Sequence, residues 1–155
     1  EARLDGGLDL YSARAAAYVA LGNQRAAAPF DRLVEAARRD SYNGIEQSAA
    51  MRALAATRRD EAIPVLLELA AHGATSNRAR PAAVGSLGTV GRLQEKAPRA
   101  RITDALVDAL RDPVENVRSS AVGALQAMGA PEAIGRRALS GCRRSASRSM
   151  MSLMM

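Results

Sequence analysis

Residues 111–134 read RDPVENVRSSAVGALQAMGAPEAI. The stretch opens on Asp-Pro, runs into an Ala-rich segment, breaks at Gly-Ala-Pro and starts again as a second helix. Three earlier segments align with it on a leucine: ARAAAYVALG around Leu21, EQSAAMRALA around Leu54 and ARPAAVGSLG around Leu87, against VRSSAVGALQ around Leu125. The leucines are spaced by 33, 33 and 38 residues. Seven residues before each stands a long polar side chain: Arg14, Gln47, Arg80 and Arg118. Four before each stands Ala17, Ala50, Ala83 or Ala121. An Ala/Leu pair four apart shares one face of a helix, the face that packs.

Each of these helices is followed by a candidate partner: 28–40, 60–73, 97–112 and 130–139. In the third, Ile102, Leu106, Val107 and Leu110 mark an amphipathic stripe. Pro29, Pro64, Pro98 and Pro131 stand near the starts of the partners, where a missing N–H has no intrahelical acceptor to lose. Pro81 plays the same part for the third first-helix, with Ser76 or Asn77 as its cap. Gly22, Gly73, Gly91 and Gly129 fall near helix ends, where a left-handed residue is expected. A repeat of this length predicts an all-α, right-handed solenoid of about four helical hairpins, in which each hairpin buries its apolar face on its neighbours. The hairpins occupy 1–139, and 140–155 reads as a flexible Ser/Arg/Met-rich tail.

Composition agrees with helices alone. Hydrophobic residues make up 48% of the 155 residues but aromatics only 3%, so small Ala and Leu side chains must build the core. Such side chains let helices approach closely. No run alternates like a strand, none has the roughly 18 apolar residues of a membrane span, and the start carries no signal peptide. The chain opens on Glu1, which reads as a piece of a longer polypeptide. Cys142 is the single cysteine, so no internal disulfide forms; that fits a reducing, cytoplasmic setting.

The net charge is +6, yet residues 133–155 hold five arginines and no acid. Residues 1–132 hold 17 basic and 16 acidic side chains and are nearly neutral. A nucleic-acid binder concentrates positive charge on one face and offers aromatics to stack on bases, and neither feature is present here. Proteins are the expected partners.

The unit DPVENVRSSAVGALQAMGAPEAI resembles the short, lyase-type HEAT repeat, with its Asp-Pro-x-x-x-Val-Arg lead, Ala-rich helix and Pro-Glu-Ala-Ile second helix. The segment 39–93, RDSYNGIEQ through GRL, is similar to the HEAT-repeat region that closes some bacterial M1-family metallopeptidases. Its Asp-Ser-Tyr opens a hairpin, and its His-Gly loop precedes the next. The ankyrin Thr-Pro-Leu-His signature is missing, and the tetratricopeptide flavour of the first unit does not continue. The resemblance implies a non-catalytic interaction domain attached to a zinc peptidase. The alternatives are a stand-alone protein-binding adaptor and an accessory factor like the HEAT-like bilin lyases.

The chemistry that the resemblance implies lies elsewhere. H-E-x-x-H needs two histidines on one helical face, and this chain has only His72. His72 reads as a last-turn residue at the negative end of a helix. Cys142, between Gly141 and Arg143, reads as an incidental thiol. No catalytic, metal or cofactor residue is assigned. The one candidate constellation is a ladder of Arg14, Arg80 and Arg118 with Asp40 and Asp112 in the preceding turns. It would either tie hairpins together or face an acidic partner.

Overall fold

The computed structural model describes residues 2–25 and 28–130. Among them the secondary structure is helical throughout, with no strand. The helices are α1 (Ala2–Asn23), α2 (Phe30–Arg38), α3 (Ile45–Thr57), α4 (Ala62–Ala70), α5 (Arg80–Gly91), α6 (Lys96–Ala109) and α7 (Glu115–Ala127), and a 3-10 turn, Tyr42–Gly44, leads into α3. The first three expected partner helices appear as α2, α4 and α6, trimmed at their ends; of the fourth, 130–139, all but Ala130 lies outside the described residues, as do Cys142 and the tail.

The first helices pack on one another in chain order, α1 on α3, α3 on α5 and α5 on α7. The aligned residues form the seam. Leu54, Leu87 and Leu125 are fully buried, as are Ala50, Ala83 and Ala121. Deleting such a leucine to Ala costs about 2–5 kcal/mol, because the lost contacts leave a cavity behind. The first copy differs: Leu21 is half-buried and Ala17 exposed. The second helices account for this. Two of them pack chiefly on the first helix of the following unit, α2 on α3 and α4 on α5, while α6 packs equally on α5 and α7. Among the described residues α1 has no helix in that place.

Two of the four glycines expected at helix ends are left-handed there, Gly73 at φ 79° and Gly129 at φ 68°. Gly22 and Gly91 also stand at helix ends, as the penultimate residue of α1 and the last of α5, but with helical rather than left-handed backbones. Their role is close approach. A Cβ on Gly22 would stand 2.6 Å from the Ala53 Cα, and one on Gly91 would stand 2.7 Å from the Met128 side chain. Gly88, the residue after Leu87, repeats the Gly22 arrangement, with its absent Cβ 2.6 Å from the Ala124 Cα. The left-handed turns fall partly on other residues, Asn43, Gly44 and Arg58 among them. Arg58 caps the C-terminus of α3 at φ 58°.

Pro81 occupies the first turn of α5, and the Ser76 hydroxyl accepts the Ala79 N–H at 3.3 Å just before it. Pro29 precedes α2, while Pro64 and Pro98 lie in the first turns of α4 and α6.

Candidate functional site

Arg80 opens α5 and has no exposed surface. A buried guanidinium must be paired, because leaving water removes its hydration. Here its Nη2 donates to Asp112 Oδ1 at 2.6 Å. Its Nη1 lies 2.9 Å from His72 Nδ1. A guanidinium can only donate, so in this contact the ring nitrogen is the acceptor. Nε of Arg80 has no partner among the described residues. The Asp112 side chain is 8% exposed, and its Oδ1 also accepts the Val114 N–H at 2.9 Å, which shapes the turn into α7. Its Oδ2 stands 3.7 Å from His72 Nδ1.

The cluster joins three segments: the loop after α4, the start of α5 and the turn before α7. Beside it lies a cavity of about 280 Å³, walled by apolar groups of α4, α5 and α6, including Leu67, Val84 and Leu106. His72, Asp108 and Asp112 supply its polar lining. His72 is not in the last turn of α4, which ends at Ala70. The chain continues in a turn that turns the ring toward Arg80. That contact crosses a loop, and no helical spacing announces it.

The ladder residues divide into two groups. Arg80 and Asp112 form the buried pair. Arg118 reaches the same turn through its backbone, Nη1 donating to the Asp112 carbonyl at 2.9 Å and the Pro113 carbonyl at 3.0 Å. Arg14 and Asp40 line a shallow depression with Tyr11 and Tyr42, whose rings stack at 5.7 Å. There Arg14 pairs with Glu46 at 3.4 Å, and Asp40 accepts the Ser41 N–H at 3.1 Å. The difference is one residue of register. Asp112 stands six residues before Arg118, but Asp40 stands seven before Gln47, and Ser41 holds the equivalent place. The Ser41 hydroxyl accepts the Gln47 N–H at 3.2 Å, and the buried Gln47 amide donates to the Ala37 carbonyl at 3.0 Å. At this position Gln47 and Arg118 satisfy carbonyls of the helix end or turn before them, whereas Arg14 and Arg80 pair with carboxylates of the following unit.

A second surface feature lies between α3 and α5. It is an open groove of about 420 Å³ whose lining includes Arg52, Ala55, Ala82, Gly85, Ser86 and Thr89. Nothing in the sequence marks it as a unit, because its residues come from two copies of the repeat.

Among the described residues no three His, Cys, Asp or Glu side chains are grouped to hold a metal ion, and no helix is long and apolar enough to cross a membrane. No protein-family model, curated protein or solved structure matches the chain.

Proposed function

We propose that the chain is an α-solenoid of HEAT-like hairpins that serves as a non-catalytic interaction scaffold, attached to a larger M1-like metallopeptidase whose zinc site lies outside this segment. One observation carries the scaffold reading. The first helices stack in chain order with the same Ala and Leu positions buried at 50, 54, 83, 87, 121 and 125. A row of this kind uses its apolar groups on its neighbours and presents long outer surfaces with shallow grooves, which suit a protein or peptide partner.

Attachment to a peptidase is favoured by the resemblance of 39–93. The residues that carry it shape two turns, Ser41 at the entry to α3 and His72 against Arg80. The test is the size of the native polypeptide in its source cells, read by peptide mass spectrometry. A chain much larger than 16.3 kDa, with an H-E-x-x-H peptide upstream, supports the attached reading. A native chain of about this size removes the peptidase and leaves a stand-alone adaptor, whose partner co-purification would identify.

A further inference from the structure

We infer that the groove between α3 and α5 is a docking site for an extended acidic peptide segment of another protein. This rests on the scaffold reading and gives it a surface and a partner chemistry.

Three observations converge on the groove. Ser86 is 3% exposed, belongs to the groove wall, and its Oγ has no hydrogen-bond partner among the described residues. Buried hydroxyls are nearly always paired, so an unmet one in the wall of a groove marks a place where a partner is missing. Gly85 is the second. It lies in the interior of α5 with ordinary helical backbone, and a Cβ there would meet nothing within 4 Å. Ala would serve the helix better in a chain that uses Ala everywhere else. Unlike Gly88, Gly85 is required by no neighbour within the fold. A bare backbone at a half-buried position lets another chain lie directly against the helix. Gly123 holds the same register in α7 and is equally unobstructed.

Charge identifies the occupant. Arg52 is the only ionisable residue of the lining, is exposed, and makes no ion pair or hydrogen bond among the described residues. The other polar groups of the lining are the hydroxyls of Ser86 and Thr89. The exposed Arg52 cation, with the exposed Thr89 hydroxyl near it in the lining, suits a carboxylate on a peptide. An extended strand of a few residues can lie along the bare backbone at Gly85. The chain's own end is a poor occupant, since residues 133–155 carry five arginines and no acid.

The test is a backbone-amide NMR titration of the full 155-residue chain with the blocked hexapeptide Ac-Glu-Ala-Glu-Ala-Glu-Ala-NH2, with the Lys-for-Glu peptide as control. Saturable shifts are expected at Ala55, Gly85, Ser86 and Thr89 with the acidic peptide only. Gly85→Leu fills the groove from an unobstructed position and also improves the helix, so it should fold and weaken binding about tenfold or more. Arg52→Glu should abolish binding. Shifts confined to the arginines of 136–148, or an affinity unchanged by Gly85→Leu, would overturn the site. So would a concentration-dependent dimer that Arg52→Glu dissociates, because a second copy would then be the occupant. A partner that co-purifies and cross-links away from α3 and α5 would sink the groove and leave the scaffold standing.

Discussion

Gly88 of α5 meets Ala124 of α7 so closely that no side chain fits between them, while at the same register one unit earlier the chain has Ala55 on α3 and Ser86 on α5. The first seam is closed. The second packs less closely, although the helices are of similar length, and opens into the α3/α5 groove. Glycine lets two helix backbones touch at the first seam, and at the second the buried Ser86 hydroxyl has no hydrogen-bond partner among the described residues. The polar ties follow the same division. Arg80 and Asp112 lock the α5/α7 side in a buried pair, whereas Gln94 reaches Asp60 at 2.8 Å on the exposed surface and Arg78 reaches Asn43 there too. A repeat can thus keep its register and still carry both a closely packed seam and a more open one.

Breaking the closed side should cost most. Asp112→Ala leaves a fully buried guanidinium without its counter-charge, and chemical denaturation should report a loss of about 3–5 kcal/mol. The matching change on the open side, Asp60→Ala, removes an exposed hydrogen bond and should fall within about 0.5 kcal/mol of the parent. Equal losses would mean that the burial of Arg80 carries no energetic weight. Leu87→Ala affects both seams and should cost about 2–5 kcal/mol; an unchanged thermal melt would refute the register itself.

Gly88→Ala is a narrower test. Its Cβ meets Ala124 backbone rather than a flexible side chain, so α5 and α7 must separate, at about 1–3 kcal/mol. The smallest effect has the opposite sign. Gly85→Ala and Gly123→Ala place a methyl in open space within a helix, and each should stabilise the chain by about 0.4–1 kcal/mol. Destabilisation at Gly85 but not at Gly123 would show that the groove is narrower than described and that the two seams are more alike.

Reading the candidate site from sequence succeeds only where its members share a register. Arg80 and Arg118 are visible as the residues seven before a leucine, and Asp112 as the opening of an Asp-Pro turn. Asp40 looks equivalent to Asp112 but is displaced by one residue, so its carboxylate bonds Ser41 while Arg14 turns to Glu46. His72 and Ser86 carry no sequence signal. One meets Arg80 across a loop, and the other is left unpaired where α5 lies beside α3, which spacing along the chain does not reveal.

The sequence by itself determined the helices, their order and the buried Ala and Leu row. These depend on spacing along one chain, and a 3.6-residue turn converts spacing into a face. Only the tertiary structure decided which helices touch. It made Gly22 and Gly91 contact points with helical backbones, gave α2 and α4 to the unit after their own, and buried Arg80. The physical reason is that packing compares surfaces from distant parts of the chain. Whether a glycine is a turn, a contact or an open floor depends on what lies opposite it, and a local pattern does not contain that information.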